Sequence, residues 1–254
     1  MTDIEKLYEA IKKFNNIVFF GGAGVSTESG IPDFRSKDGL YNQKDVQFEK
    51  YQPEYLLSHD CLHVKSKVFY EFYRQKMDTR NIQPNTTHYV LAELEKLGKL
   101  KAVITQNIDG LDQLAGSKNV IELHGTTKRN YCIKCKKEYD ENYIFDAKED
   151  VPRCDCKWHG LIRPDVTLYN EQLPSKAEKD AYNAIKEADM LIVGGTSLSV
   201  YPAAYYVYNF TGECITVINK EKLSLMLGPN DIEICDALGE VFDKLKKLID
   251  EKRL

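Results

Sequence analysis

Apolar residues in this chain follow two patterns that alternate along its length. Short continuous runs, typical of strands buried on both faces of a parallel sheet, occupy residues 17–20, 102–105, 190–193 and 215–218. Helical spacing of apolar residues occupies residues 4–14, 89–97, 177–188 and 238–249. Strands that alternate with helices predict an α/β fold with a doubly wound parallel sheet, which binds ligands at the carboxyl ends of its strands.

Two stretches interrupt this alternation and determine the domain organisation that we expect. Residues 37–85 are rich in Tyr, Phe, Lys and Glu with broken helical spacing, and residues 128–160 hold a cysteine cluster among polar and charged residues. We interpret both as insertions that together form a small domain beside the sheet. Residues 1–36, 86–127 and 161–254 then form the large domain, which contains the sheet.

Composition and charge narrow the classes of partner. The chain has 254 residues and a formal net charge of -4, and its pI is about 5.8, so it offers no general electrostatic attraction to nucleic acid or to an anionic membrane. No apolar run approaches bilayer-spanning length, and the first residues have neither the basic start nor the apolar core of a signal peptide. We therefore expect a cytoplasmic protein that binds neither nucleic acid nor membrane.

The first apolar run leads directly into a glycine-rich loop. Gly22, Gly24 and Gly30 lie within residues 20–35, FGGAGVSTESGIPDFR, and glycines in such a loop let backbone N–H groups approach a pyrophosphate without an intervening Cβ. Their spacing differs from the G-x-G-x-x-G fingerprint of dehydrogenases, and no Lys-Ser or Lys-Thr completes a P-loop. The loop therefore predicts a dinucleotide that is not used as in a dehydrogenase.

Two further motifs offer groups for binding a carboxamide and for proton transfer. Residues 105–109, TQNID, follow a predicted strand and can hydrogen-bond a carboxamide such as nicotinamide, although a polar turn with an Asx cap would use the same residue types. His124 ends another short apolar run beside a glycine. A lone histidine is more often structural, but histidine is also the natural proton acceptor near neutral pH.

Small polar residues follow the last two predicted strands. Thr196 and Ser197 come after two glycines, and Asn219 and Lys220 follow the next strand. Hydroxyls and glycine amides suit phosphate and ribose oxygens, and an amide can contact ribose or adenine. Each pair could separately be an ordinary turn or helix cap, but together the motifs at the strand ends outline one cleft.

Four of the seven cysteines form the most specific metal signal: Cys132, Cys135, Cys154 and Cys156. The two pairs are close to the layout of a zinc ribbon, and four thiolates with no open coordination position indicate a structural zinc. The second pair is C-x-C, so His159 could replace Cys154 or Cys156 as a ligand. A segment without metal is the third possibility, but exposed cysteines with no ligand role would be an oxidation liability.

In this order the motifs resemble those of the sirtuins of bacterial type, which are NAD-dependent protein-lysine deacylases, and the likeness covers nearly the whole chain. The matching motifs are residues 22–35, residues 105–109, His124-Gly125, the four cysteines and residues 195–197. The resemblance implies a Rossmann-like sheet domain and a small domain made of a zinc ribbon and a helical insertion. It also implies one structural zinc, NAD as co-substrate, and acyl-lysine protein substrates that meet NAD between the domains.

The resemblance further implies roles for individual residues. His124 would be the general base, and Asn107 and Asp109 would hold the nicotinamide while C1′ of its ribose is attacked. The residues that would bind NAD are Ala23, Thr27, Phe34, Arg35, Gln106, Asn107, Ile108, Asp109, His124, Thr196, Ser197, Asn219, Lys220, Asp236 and Ala237. The products would be nicotinamide, O-acetyl-ADP-ribose and free lysine.

Some positions bear on the choice of acyl group and on substrate binding. Sirtuins that remove succinyl or malonyl groups carry a Tyr-x-x-Arg pair. In this chain Lys76 stands in place of that arginine, three positions after Tyr73. Lysine lacks the fork with which arginine binds a carboxylate in bidentate fashion, so we expect a preference for acetyl and other uncharged acyl groups. Residues 166–169, VTLY, are expected to be the strand that pairs with the substrate backbone.

Asp112 stands where sirtuins commonly have His, outside the reacting centre.

Two other functions fit parts of the pattern. The same cleft could transfer ADP-ribose to a protein or to water, as an ADP-ribosyltransferase or NAD hydrolase, because the first step already makes C1′ electrophilic. The presence of His124 favours deacylation instead. A catalytically silent NAD-sensing zinc scaffold would be expected to lack Asn107, Asp109 or His124, and all three are present.

Overall fold

The structure is a computed structural model that describes residues 1–34, 36, 39–42, 46–252 and 254. The described helices are α1 (Asp3–Lys13), α2 (Pro53–Leu56), α3 (His59–Val64), α4 (Ser66–Lys76), α5 (Thr86–Lys96), α6 (Leu111–Ala115), α7 (Asn142–Phe145), α8 (Ser175–Glu187) and α9 (Leu238–Lys252). The described strands are β1 (Ile17–Gly21), β2 (Leu100–Thr105), β3 (Val120–Glu122), β4 (Gly125–Cys132), β5 (Glu138–Asp140), β6 (Ile162–Val166), β7 (Met190–Gly194), β8 (Cys214–Ile218) and β9 (Ile232–Ile234).

The large sheet explains how separate motifs come together. Its strand order is β3-β2-β1-β7-β8-β9, and all of its strand pairs are parallel. The chain builds outwards from β1 on one side and from β7 on the other, so the order reverses between these two strands. At their carboxyl ends Gly21 pairs with Thr105 and with Gly194, which places the loops after β1, β2 and β7 side by side at the switch point of the sheet.

Both faces of the large sheet are covered by helices. Phe19 belongs to a core shared with α1, α5 and α9, whereas Val18 and Phe20 belong to a core shared with α8, because successive strand residues point to opposite faces. Helix α1 begins with a capping box formed by Thr2 and Glu5, whose reciprocal hydrogen bonds satisfy two backbone donors. The predicted α/β class with a parallel sheet flanked by helices is confirmed.

A second, antiparallel sheet of order β5-β4-β6 lies in the cysteine-containing part of the chain. Its residues share one hydrophobic core with helices α2 to α4, and Arg74 of α4 donates a hydrogen bond to the carbonyl of Ile144 in α7. The two predicted insertions therefore pack against each other. Strand β4 runs across the predicted bound at residues 127 and 128, and the bounds themselves remain a prediction.

Strand β6 is shorter at its carboxyl end than we expected for residues 166–169. It ends at Val166, and the backbone N–H groups that follow donate to acceptors of this chain. Thr167 donates to the carbonyl of His124 and Tyr169 to the carbonyl of Leu57, while Leu168 donates to the Glu171 carboxylate. Within the residues described above, no helix is both long and apolar enough to cross a membrane.

Candidate active site

A cleft of about 810 Å³ opens at the carboxyl ends of the central strands. It brings together most of the residues that the sequence predicted for NAD binding and catalysis: Ala23, Thr27, Phe34, Gln106, Asn107, Ile108, His124, Thr196, Ser197, Asn219 and Lys220. These residues come from the loops after five strands of the chain, so only the sheet topology makes them neighbours. Arg35, which was also predicted for this site, lies outside the described residues.

Three predicted residues are not part of the described cleft wall. Asp109 is only 6% exposed and lies beneath the wall. Asp236 and Ala237 lie just before α9, where the Ala237 N–H donates to the Asp236 carboxylate at 2.8 Å. Their neighbour Leu238 does line the cleft, so both lie next to the wall rather than in it.

The two glycine loops contact each other through their backbones. The Gly24 N–H donates to the Gly195 carbonyl at 2.8 Å, and a Cβ at Gly24 would lie 2.7 Å from the Gly195 Cα atom. Gly195 has a φ of +60°, a conformation that glycine adopts without strain. Glycine is therefore required at both positions for the loops after β1 and β7 to form one continuous cradle.

A buried chain of hydrogen bonds joins the first glycine loop to the loop after β2. The Asn107 amide donates to Ser26 Oγ at 3.0 Å, and Ser26 Oγ donates to Asp109 Oδ2 at 2.7 Å. The Leu111 N–H donates to the other Asp109 oxygen at 2.9 Å, while burial raises the pKa of Asp109. This series of hydrogen bonds orients the Asn107 amide at the cleft wall. Sequence reasoning missed Ser26, whose only signal is its position inside the glycine loop.

The imidazole of His124 forms a hydrogen bond with a backbone carbonyl. Its Nδ1 lies 2.7 Å from the Gln106 carbonyl oxygen, and because a carbonyl can only accept, Nδ1 carries the proton in this contact. In the neutral ring Nε2 is then the acceptor nitrogen. Gly125, with a φ of +73°, lets β4 start here, since a Cβ would lie 2.0 Å from the Asp165 carbonyl oxygen.

The four predicted cysteine ligands form one group. All four Sγ atoms lie within 4.8 Å of one another, with Sγ to Sγ distances of 4.0 Å for Cys132 and Cys156 and 3.6 Å for Cys135 and Cys154. A tetrahedral zinc with Zn–S bonds of about 2.3 Å separates its sulfur ligands by about 3.8 Å. The residues present therefore fit a four-cysteine zinc site. His159 is exposed and is not a member of the group.

Leu57 is a cleft residue that no local motif identified. It comes from the helical insertion and reaches the cleft because the insertions pack beside the sheet, which no local pattern reveals. Tyr73 and Leu168, which the resemblance had singled out for the choice of acyl group and for substrate binding, also line the cleft. Tyr201 also lines the cleft, and its position after the Gly-Gly-Thr-Ser loop is a signal that could have found it.

Comparison with known proteins identifies the class of protein that this fold and site define. The family model described as "Sir2 family" matches residues 22–202, which is more than half of the chain. This chain therefore belongs to the Sir2 family, and the predicted sirtuin membership is confirmed.

Two similar bacterial proteins share the same name. The "NAD-dependent protein deacetylase" of Clostridium tetani is 54% identical over 245 residues, covering 95% of this chain and 96% of that protein. The protein of the same name from Clostridium perfringens is 51% identical over 244 residues, covering 95% and 98%. A solved structure described as "Sir2-p53 peptide-NAD+" is 33% identical with a TM-score of 0.81, covering 99% of each chain.

Proposed function

We propose that this protein is an NAD-dependent protein-lysine deacetylase that yields free lysine, nicotinamide and O-acetyl-ADP-ribose. The observation that carries the proposal is the meeting, in one cleft, of the His124 imidazole, the Asn107 amide and the glycine loop after β1. The names of its relatives, and a Sir2 structure named for a peptide together with NAD, support the same reaction.

In the first step the acyl oxygen of the substrate lysine attacks C1′ of the nicotinamide ribose. The C1′–N bond breaks, nicotinamide leaves with the electron pair, and the acyl group becomes an alkylimidate. Asn107 would hold the departing carboxamide, and the hydrogen bonds through Ser26 to Asp109 keep that amide in place. Orienting the two reactants before attack is a large source of rate enhancement.

In the second step His124 acts as general base. Its Nε2 takes a proton from a ribose hydroxyl, whose oxygen then attacks the imidate carbon, and water completes the release of lysine. The Gln106 carbonyl continues to accept the Nδ1 proton, so it also stabilises the imidazolium that forms. The ADP end of NAD would lie along Thr196, Ser197 and the residues after β8, with Phe34 over the ribose.

Cys132, Cys135, Cys154 and Cys156 would hold a zinc ion as thiolates. The ion supplies four bonds that cross-link the turns of the small domain. Strand β4 begins at Gly125, beside His124, and ends at Cys132. The zinc site thus stabilises the strand that starts beside the general base, His124. The zinc ion takes part in no chemical step.

The remaining predictions belong to the same proposal. The large domain comprises residues 1–36, 86–127 and 161–254, and the small domain comprises residues 37–85 and 128–160. The substrates are acyl-lysine proteins, the protein works in the cytoplasm, and Arg35, Asp236 and Ala237 take part in NAD binding.

An assay on acetylated peptide with and without NAD tests the function. We expect NAD-dependent loss of the acetyl group and equal amounts of nicotinamide and O-acetyl-ADP-ribose, measured by mass spectrometry. His124→Ala should lower deacetylation by at least about 100-fold, the usual contribution of a general base, whereas His63→Ala, an exposed histidine of α3, serves as the matched control. Nicotinamide release that does not require acyl-lysine would instead indicate an NAD hydrolase.

A further inference from the structure

Two tyrosines from distant parts of the chain meet in the cleft wall. Tyr41 and Tyr169 both line the cleft, and their hydroxyl oxygens lie 2.7 Å apart, so that one hydroxyl donates to the other. We call these two residues the tyrosine pair. Tyr41 follows Phe34 in the segment after the first glycine loop, whereas Tyr169 follows β6. The tyrosine pair therefore joins the segment predicted to cover the cofactor to the segment predicted to bind the substrate backbone.

Tyr169 is held in place by several hydrogen bonds of its own segment. Its backbone N–H donates to the Leu57 carbonyl at 3.0 Å, and the N–H of Leu168 donates to the Glu171 carboxylate at 3.0 Å. The same carboxylate accepts from both terminal nitrogens of Arg163, at 2.6 and 2.9 Å, and a bidentate pair of this kind fixes geometry strongly. The backbone that carries the Tyr169 hydroxyl is therefore fixed at the cleft wall.

Tyr41 is tied to Phe34 through both its backbone and its ring. The Tyr41 N–H donates to the Phe34 carbonyl at 3.0 Å, and the Leu40 N–H donates to the Asp33 carbonyl at 2.7 Å. The ring centroids of Phe34 and Tyr41 lie 5.4 Å apart, and those of Tyr41 and Tyr169 lie 6.4 Å apart. Phe34 also lines the cleft. A restraint on Tyr41 is therefore passed on to the side chain of Phe34.

We propose that Tyr169 is a positioning residue for NAD, which acts through the hydroxyl of Tyr41 on Phe34. The proposal rests on the proposed function, in which Phe34 lies over the nicotinamide ribose, and it adds that the substrate-side segment helps to bind the cofactor. Neither hydroxyl of the tyrosine pair needs to touch NAD. A side chain that already has its bound position costs less free energy to order on binding, so the pair increases the affinity for the ribose end of the cofactor.

Tyr41→Phe and Tyr169→Phe each remove one hydroxyl and keep both rings. Each should raise the Kd for ADP-ribose, measured by isothermal titration calorimetry, about three- to tenfold, the effect of one neutral hydrogen bond. ADP-ribose is the probe because it keeps the ribose and has no nicotinamide to release. In the deacetylation assay the KM for NAD should rise by a similar factor, while kcat and the KM for the acetylated peptide stay within about twofold, because no reacting group has changed.

Combined variants test whether the effect runs through the shared hydrogen bond and then through Phe34. The double variant of Tyr41→Phe and Tyr169→Phe should bind ADP-ribose no more weakly than the weaker of the two single variants, because both remove the same bond. Tyr169→Phe should also have no further effect once Phe34→Ala has removed the ring that it positions. Effects that multiply in either combination, or single variants that bind ADP-ribose as tightly as the native protein, would overturn the proposal.

Tyr206→Phe is the matched control. It removes the hydroxyl of a half-buried tyrosine that donates to Glu178 at 2.7 Å and lies outside the described cleft wall, so it should leave the Kd for ADP-ribose unchanged. A loss of affinity with Tyr206→Phe equal to that with Tyr169→Phe would contradict the proposal.

Turnover of the acetylated peptide by the native protein separates this proposal from the proposed function. Without turnover the deacetylase function fails, but the affinities for ADP-ribose still test the tyrosine pair. Turnover together with affinities that the variants do not change would refute the role of the tyrosine pair alone.

Discussion

At the scale of single residues, two buried acids three positions apart behave differently. Asp109 engages both carboxylate oxygens, through Ser26 and the Leu111 N–H. Asp112 is only 4% exposed, and its Oδ1 has no partner among the described residues. Burial, followed by the charges of Asp109 and Glu122, raises the pKa of Asp112 to about 7. Asp112 therefore makes the folded protein sensitive to pH near neutrality.

The raised pKa predicts the sign of a stability change. The folded state holds the Asp112 proton up to about pH 7, whereas the unfolded chain releases it near pH 4. The contribution of Asp112 to the free energy of unfolding is therefore fully present below about pH 4, and it is lost as pH rises to about 7. Asp112→Asn removes this loss, so the free energy of unfolding at pH 8 should rise by about 2 kcal/mol, within a limit of about 4 kcal/mol for three pKa units.

Chemical denaturation at two pH values checks the Asp112 prediction. The rise in the free energy of unfolding caused by Asp112→Asn should shrink towards zero at about pH 4.5, where Asp112 is protonated in the folded protein. Asp243→Asn, at an exposed position of α9, makes the same change of charge without burial and should have little effect at either pH. A gain from Asp112→Asn that is equal at both values would contradict the explanation.

At the scale of elements, β4 links two functional regions. One end starts at Gly125 beside His124, and the other ends at Cys132 in the cysteine group. The two ends were recognised in the sequence as separate motifs. That one strand joins them was not, because pairing with β5 and β6 involves residues distant in sequence.

Loss of one cysteine ligand should therefore act on both ends of β4. Cys154→Ser is expected to reduce bound zinc from one ion per chain to nearly none, to lower Tm by at least about 5 °C, and to lower deacetylase activity, because metal binding and folding are coupled. Elemental analysis and a thermal melt measure the effect. Cys235→Ser, exposed and outside the group, should retain the zinc, and native protein that contains no zinc would refute the site.

At the scale of the whole molecule, loops from both halves of the large sheet converge on one cleft. A ligand that binds this cleft only in the folded state raises Tm by mass action. NAD at about a hundred times its Kd should contribute about 2.7 kcal/mol, or roughly 5–10 °C for a chain of this size. Differential scanning fluorimetry should also detect a shift with ADP-ribose, which keeps the ADP end. Nicotinamide alone should give a smaller shift, and the absence of any shift with NAD would contradict a cleft for this cofactor.

What the sequence alone determined is local in origin. The alternation of strands and helices, the glycine loop, the cysteine pairs and the position of His124 follow from periodicity and from residue types a few positions apart. These sufficed for the α/β class and the sirtuin family, since such patterns reflect the same local backbone and ligand chemistry wherever they occur.

Only the tertiary structure decided how these pieces are used. It buries Asp109 behind Ser26, leaves Asp236 and Ala237 beside the described cleft wall, and brings Tyr73 of α4 into that wall. Burial and the pairing of polar groups depend on which distant segments pack together. A single sequence carries no direct record of that packing, so the buried hydrogen bond between Ser26 and Asp109 could be found only in the folded chain.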